Sequence, residues 1–236
     1  VNEIPSIDLS SDAATTNQIL CINSALTDIT YEIGGSGTGA DLTGSLPAGV
    51  NFAFSGTTFT ISGTPTAAGT YNYTVTTSGG SCPEVDLSGT IIVDPLPTLT
   101  LASGNTTQTV CNNEPIGVIS YNIGGSATSA SVTGLPSGVN GNYNLGVFTI
   151  SGTPTTAGNY TYTLETTGGS CTAKTTTGTI NVNTAPTVTL TSAASTENQP
   201  LCINTPITDI TYGISGSPVS TTVTGLPTGV TSNYAS

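Results

Sequence analysis

The chain has 236 residues, 13 of them acidic, with one lysine, no arginine and no histidine, which gives a formal net charge of -12. One cation cannot neutralise a phosphate backbone, so nucleic-acid binding is excluded, and the lack of histidine removes the commonest general base and metal ligand. No apolar run approaches the roughly 18 residues that a membrane-spanning helix needs, which excludes membrane insertion.

The amino-terminal segment, residues 1–5, has neither the positive region nor the apolar region of a signal peptide. We therefore expect either that a leader has been removed or that the sequence is an internal piece of a longer protein.

Predicted β-strands follow along the chain. Residues 70–76 alternate with a period of two and place Tyr71, Tyr73 and Val75 on one face, with threonine and asparagine on the other. Residues 159–164 alternate in the same way. The Gly-Gly pairs that follow at Gly79 and Gly168 predict tight turns.

The sequence repeats with a period of about ninety residues. A Leu-Pro block occurs at Leu46, Leu135 and Leu226, and a Phe-Thr-Ile-Ser-Gly-Thr-Pro-Thr block starts at Phe59 and again at Phe148. These blocks predict three units, which comprise residues 4–95, 96–184 and 185–236. The third unit has the Leu-Pro turn but lacks the Ser-Gly-Thr-Pro turn. We therefore expect that the chain continues in nature or that a neighbouring chain completes this unit.

Short strands and turn signals within about ninety residues are typical of an immunoglobulin-like β-sandwich. Proline-containing linkers, at residues 94–97 and 183–186, separate the units and stiffen the connections. The predicted fold class is therefore all-β, with tandem immunoglobulin-like sandwiches arranged as a rod.

Five cysteines follow the same period and predict one disulfide in each complete repeat. Cys21 would pair with Cys82, and Cys111 with Cys171, because the two spacings are nearly equal. Cys202 corresponds to Cys21 and Cys111, so its partner would lie outside the chain. A metal site is disfavoured because two ligands per repeat cannot complete a tetrahedral shell. The position of Cys82 after a glycine turn predicts a staple near one end of the sandwich, and disulfides predict an oxidising compartment.

Three blocks of the first unit resemble the PKD-like or immunoglobulin-like repeats of giant surface proteins from Bacteroidota. These blocks are Leu-Pro-Ala-Gly-Val (residues 46–50), Thr-Ile-Ser-Gly-Thr-Pro-Thr-Ala-Ala-Gly-Thr-Tyr-Asn-Tyr-Thr-Val-Thr-Thr (60–77) and Gly-Gly-Ser-Cys (79–82). Such proteins resemble adhesins exported by the type IX secretion system, some of which serve gliding motility. The resemblance covers nearly the whole chain and implies spacer modules without catalytic residues.

Two candidate ligand sites have simpler alternatives. Asp94 and Glu114 could hold calcium at the first linker, but calcium takes six to eight oxygens and the second linker has no acidic residue. We therefore expect a solvated acidic surface, without a metal or another cofactor. The repeated tyrosines could line a sugar-binding face, but their alternation with threonine favours core positions; they are Tyr71, Tyr73, Tyr160 and Tyr162.

The main hypothesis is a structural stalk or fibre of a secreted bacterial adhesin, located outside the cell or on its surface. Its expected partners are other copies of itself, through exposed strand edges, or neighbouring repeats of a longer chain. The alternative is a module that binds a glycan or a surface through loops at the end of a sandwich. The most divergent stretch between units, residues 51–54 against 140–145, is the candidate for that role. An enzyme is not expected, because no base is present to activate the many hydroxyl groups.

Overall fold

The computed structural model describes residues 3–216 and 220–234. The strands up to the first linker are β1 (Ser6–Leu9), β2 (Asn17–Cys21), β3 (Ile29–Gly34), β4 (Gly39–Gly44), β5 (Val50–Ser55), β6 (Thr58–Gly63), β7 (Gly69–Ser78) and β8 (Asp86–Asp94). Those between the two linkers are β9 (Thr98–Ser103), β10 (Thr107–Cys111), β11 (Ile119–Gly124), β12 (Ser129–Thr133), β13 (Val139–Asn144), β14 (Val147–Gly152), β15 (Gly158–Thr167) and β16 (Thr175–Asn183). After the second linker come β17 (Thr187–Leu190) and β18 (Tyr212–Ser215). Two short 3-10 helices lie at Ala13–Thr16 and Ala194–Glu197.

The first repeat is a sandwich of two four-stranded sheets, with orders β1-β3-β6-β5 and β2-β8-β7-β4. The chain leaves the first sheet after β1, passes the 3-10 helix that Asp12 caps, and enters the second sheet as β2. Strand β2 then runs parallel to β8, the last strand of the repeat, whereas the other pairs in this repeat are antiparallel. This order is that of an immunoglobulin-like sandwich.

The second repeat has the same order, β9-β11-β14-β13 against β10-β16-β15-β12, with β10 parallel to β16. The predicted all-β, immunoglobulin-like fold class is confirmed. The predicted alternation is confirmed as well, since Tyr73 and Val75 of β7 and Tyr162 and Leu164 of β15 are buried.

A pair of tyrosines lies at the centre of each core. The Tyr31 and Tyr73 hydroxyls are 3.2 Å apart, and those of Tyr121 and Tyr162 are 2.9 Å apart. Burial raises the pKa of Tyr31, Tyr73 and Tyr162 above the ordinary value of 10.0, so these hydroxyls stay neutral and share a hydrogen bond.

Each pair needs a glycine on the neighbouring strand. Tyr162 of β15 lies opposite Gly178 of β16, and a Cβ at Gly178 would stand 2.3 Å from the Tyr162 hydroxyl oxygen. Gly89 lies opposite Tyr73 in the same way. A residue without a side chain is therefore required here to make room for the ring.

In the third unit, the described residues form only the antiparallel pair of β17 and β18 and the second 3-10 helix. Large apolar side chains of this unit are exposed, among them Ile210, Tyr212 and Val223. The half-unit thus exposes side chains whose counterparts form the cores of the complete repeats.

Candidate functional site at the junction of two repeats

The junction between the first two repeats is the candidate site because a covalent bond crosses it. Strand β2 runs parallel to β8 and pairs Cys21 with Asp94, so both residues lie at the end of the first sandwich that faces the linker. Cys21 is the last residue of β2, and a turn begins directly after it.

A turn after β2 fixes the position of Cys21. Ser24 N donates to Cys21 O at 3.0 Å, and Ile22 N donates to Asp94 O at 2.9 Å. Asn23 lies in the left-handed region with φ of 66°, which asparagine tolerates better than most residues. The backbone N–H of Asn23 donates to Pro65 O at 2.8 Å. These bonds hold the end of β2 against the last residue of the repeat and against the neighbouring loop.

The second repeat contributes the loop between β15 and β16. Thr166 is buried at its base, where its backbone N donates to Lys174 O and its hydroxyl accepts from Lys174 N at 2.8 Å. Gly168 has φ of 78°, and a Cβ there would stand 2.0 Å from the Thr128 hydroxyl. The loop is thus anchored at both ends and projects Cys171 toward the first repeat.

Cys21 and Cys171 form a disulfide with a Cα–Cα distance of 5.6 Å, between residues 150 positions apart. Next to it, the Ser170 hydroxyl donates to the Asp94 carboxylate. A cavity of about 130 Å³ lies behind the bond, with Pro97 of the linker, Ala127 and Cys171 among its lining residues. The bond and the hydrogen bond together join the end of one sandwich to a loop of the next.

This bond corrects the predicted pairing, because Cys21 is bonded to Cys171 rather than to Cys82. Strand β8 explains why: Cys21 lies at its end, whereas Cys82 precedes its first residue. At about 3.3 Å per residue, the nine residues of β8 put roughly 26 Å between the two ends, far beyond the span of a disulfide. In the same way, Cys111 and Cys171 lie at opposite ends of β16 and are too far apart to bond. Cys111 and Cys202 are present as thiols.

The calcium hypothesis finds no support in the positions of its residues. Asp94 lies at the first junction, whereas Glu114 follows Cys111 at the far end of the second repeat. Within residues 3–216 and 220–234, no group of three or more His, Cys, Asp or Glu side chains is close enough to hold a metal ion.

The four repeated tyrosines belong to the cores. Tyr73 and Tyr162 are buried, and Tyr71 and Tyr160 are half-buried against the same core clusters. Tyr160 also donates from its hydroxyl to Thr156 O at 3.1 Å. The structure therefore favours the core interpretation over a sugar-binding face.

The divergent stretch forms a strand in both repeats rather than a loop at the end of the sandwich. In β5, the Phe52 ring stacks on Phe59 with 5.2 Å between centroids. In β13 the corresponding residue is Gly141, and an open groove of about 550 Å³ lies there, lined among others by Asn142, Tyr143 and Phe148. The second repeat thus has a surface groove where the first has an aromatic stack.

Sequence reasoning missed a glutamine in each unit. The Gln18 amide donates to Thr27 O at 2.7 Å and accepts from Thr27 N at 3.0 Å, and thus holds β2 against the chain leading to β3. Gln108 and Gln199 make the matching bonds to Gly117 and Thr208. The available signal was a glutamine three positions before the first cysteine of every unit.

One exposed carboxylate is also tuned locally. Hydrogen bonds from the hydroxyls of Thr58 and Thr57 lower the pKa of Glu32.

No helix in the described part of the chain is long and apolar enough to cross a membrane.

Comparisons with known proteins agree with this architecture. Residues 9–94 match the family model described as "Putative Ig domain". Three consecutive immunoglobulin domains of titin superpose with a TM-score of 0.57 at 14% identity, over 79% of this chain and 68% of that one. The N-terminal eight domains of Down Syndrome Cell Adhesion Molecule superpose with a TM-score of 0.56 at 10% identity, over 77% of this chain and 25% of that one. At these identities the likeness concerns the fold alone.

One curated relative extends the comparison to sequence. The chain is 40% identical over 141 residues to "Serine-rich adhesin for platelets" of Staphylococcus aureus strain MRSA252. The alignment covers 57% of this chain and 10% of that protein, so the chain spans about a tenth of the relative's length. The chain is therefore an immunoglobulin-like repeat region with sequence similarity to a bacterial surface adhesin.

Proposed function

We propose that the chain is a load-bearing stalk segment of a secreted bacterial adhesin, located outside the cell or on its surface. The observation that carries this proposal is the Cys21–Cys171 disulfide, which joins two consecutive sandwiches. The similarity to an adhesin supports the proposal. Export by a type IX system and a role in gliding remain part of the proposal through the resemblance of the repeat blocks, and catalysis has no part in it.

The disulfide changes how the chain carries tension. When the chain is pulled at its ends, force passes from Cys21 directly to Cys171, and residues 22–170 form a closed loop that bears no load. Both sandwich cores then stay folded, because most of their strands lie inside the loop. The linker is shielded as well, since residues 95–97 lie within the same loop.

Single-molecule force spectroscopy tests this role. A fully extended chain spans about 3.3–3.6 Å per residue, so the oxidised chain should reach an end-to-end length roughly 500 Å shorter than the reduced chain. Cys21→Ser should give the long form under oxidising conditions. Cys202→Ser, which removes a thiol outside the bond, is the matched control and should keep the short form. Equal lengths for the oxidised and reduced chains would contradict the proposal.

A second candidate function is glycan binding, favoured by the groove beside Gly141. Asparagine side chains and an aromatic ring are groups that bind sugar hydroxyls and sugar faces. A glycan array with the chain and with Asn142→Ala, which removes one amide from the groove, tests this. A sugar bound by the chain and lost in the variant supports the second candidate, whereas no reproducible sugar counts against it.

We also propose that copies of the chain associate through strand edges. Among the residues that the structure describes, β18 pairs with β17 alone, so its other edge offers backbone groups to a second chain. Sedimentation over a wide range of protein concentration tests this, and a monomer at every concentration would argue against it.

A further inference from the structure

We propose that the disulfide between consecutive repeats recurs along the chain, and that Cys111 bonds to the loop cysteine of the complete repeat that follows it. The term "cysteine turn" is used here for residues 21–24, 111–114 and 202–205, and "cysteine loop" for residues 79–85 and 168–174. In the bond that the structure contains, the cysteine turn of one repeat meets the cysteine loop of the next.

The cysteine turn of the second repeat has the same geometry as that of the first. Glu114 N donates to Cys111 O at 3.1 Å, and Asn112 N donates to Asn183 O at 2.8 Å, matching the bonds of Ser24 and Ile22. Asn113 has φ of 68°, close to the 66° of Asn23. Cys111 therefore stands at the end of β10 as Cys21 stands at the end of β2.

The third unit also enters its junction as the second repeat does. A Cβ at Gly125 would stand 2.0 Å from Leu96 O of the first linker, and a Cβ at Gly216 would stand 2.4 Å from Ala185 O of the second. Both linkers thus pass beside a glycine with positive φ, which lies directly after β11 in the second repeat and directly after β18 in the third unit. A cysteine loop completed on the third unit would then approach Cys111 from the direction in which Cys171 approaches Cys21.

The cysteine loop belongs to each complete repeat rather than to one junction. Thr77 anchors the first loop as Thr166 anchors the second, with its hydroxyl accepting from Val85 N at 3.0 Å. Gly79 and Gly168 have φ of 82° and 78°. The loop that supplies Cys171 to Cys21 is thus a feature of the repeat, and the proposed partner of Cys111 is the cysteine of such a loop on the repeat that follows it.

The bond forms by thiol–disulfide exchange with a small disulfide oxidant such as oxidised glutathione. The Cys111 thiolate attacks the oxidant, forms a mixed disulfide and releases one glutathione thiolate. The thiolate of the loop cysteine then attacks the Cys111 sulfur and releases the second. Two electrons pass from the cysteines to the oxidant, and the two cysteine protons end on the two released glutathione molecules.

The first experiment completes the third unit. Position 236 corresponds to position 145 of the second repeat, so residues 146–183 are appended to the full chain as a second copy. The protein is refolded in a glutathione redox buffer, alkylated and digested with a glutamate-specific protease. A glutamate separates Cys202 from the appended cysteine, so the two lie on different peptides.

The expected product is a peptide pair that links Cys111 to the appended cysteine, with Cys111 lost from alkylation. In Cys111→Ser the appended cysteine should become alkylated, while Cys202→Ser, the matched control, should leave the new bond intact. A link between Cys202 and the appended cysteine overturns the proposal. A link between two chains, seen as a dimer on a non-reducing gel, overturns it too, because the proposal concerns consecutive repeats.

A second variant covers failure of the completed unit to fold. In this variant, residues 185–236 are replaced by a second copy of residues 96–184, so that each unit is a complete repeat. The first Cys111 should bond to the second copy of Cys171, and the first Cys171 should stay bonded to Cys21. If circular dichroism shows the added repeat folded while the first Cys111 remains alkylated, the proposal is wrong.

Discussion

The second repeat and the third unit contain nearly the same β-strand in opposite surroundings. Ile119 and Tyr121 are 0% and 1% exposed, whereas their counterparts Ile210 and Tyr212 are 40% and 49% exposed. Strand β11 has β9 on one side and β14 on the other, whereas β17 is the one neighbour that the described part of the chain provides for β18. The comparison shows that this strand does not form a core by itself, because in a complete repeat the later strands cover its apolar side chains.

The largest expected difference between the two regions comes from a core truncation. Ile119→Ala should destabilise the folded chain by about 2–5 kcal/mol, because a fully buried methyl-rich side chain is removed and leaves a cavity. The matched Ile210→Ala should change the free energy of unfolding by less than about 0.5 kcal/mol, as at surface positions. Urea denaturation followed by circular dichroism measures both. Equal losses would mean that the third unit has a packed core.

A glycine substitution next to the tyrosine pair tests the same difference between the second repeat and the third unit. Gly178→Ala should cost about 1–3 kcal/mol by overpacking, because its methyl group would meet the Tyr162 ring and hydroxyl. Gly213→Ala in β18 should cost less, since its nearest neighbour is a threonine methyl group 3.1 Å away. Adding Tyr162→Phe to Gly178→Ala should recover part of the loss. If the double variant is no more stable than Gly178→Ala, the Tyr162 hydroxyl is not the obstacle.

Alkaline pH should weaken the complete repeats. The pKa values of Tyr31, Tyr73 and Tyr162 are raised in the folded state, so above pH 10 the unfolded chain releases protons that the folded chain retains. Stability is therefore fully present well below pH 10 and falls as the pH rises above it. Urea midpoints measured between pH 8 and about pH 12 test this, and a constant midpoint would contradict it.

The smallest effect is expected at the glutamines. Gln108→Ala removes the hydrogen bonds that a half-buried side chain makes to Asn105 and Gly117, and should cost about 1 kcal/mol. Gln199→Ala removes the same bonds from the third unit, where fewer strands depend on them, and should leave the cooperative transition unchanged. Thermal unfolding of the two variants is the measurement, and an equal shift in both would remove this distinction between the regions.

Much of the fold could be predicted from local patterns. The alternation around Tyr73 and Tyr162 identified buried strands, because side chains on a strand alternate between its two faces. The repeated turn blocks predicted three similar units, because a turn is determined by a few neighbouring residues. The parallel pairing of β2 with β8 could not be predicted, since it depends on a change of sheet between β1 and β2.

The pairing of Cys21 with Cys171 could not be predicted for the same reason. Equal spacings identified Cys21 and Cys82 as equivalent to Cys111 and Cys171, but spacing contains no information about which end of a sandwich each cysteine occupies. That end is set by the strand that β2 joins, which begins 65 residues after Cys21 at Asp86. The presence of a disulfide could be predicted from sequence, whereas the choice of its two cysteines required the topology.

Peptide mapping of the unreduced chain tests the central claim most directly. The oxidised chain is alkylated and digested with a glutamate-specific protease, which places each of the five cysteines on a different peptide. We expect one linked pair of peptides, which contains Cys21 and Cys171. A link between Cys21 and Cys82, or between Cys111 and Cys171, would contradict it.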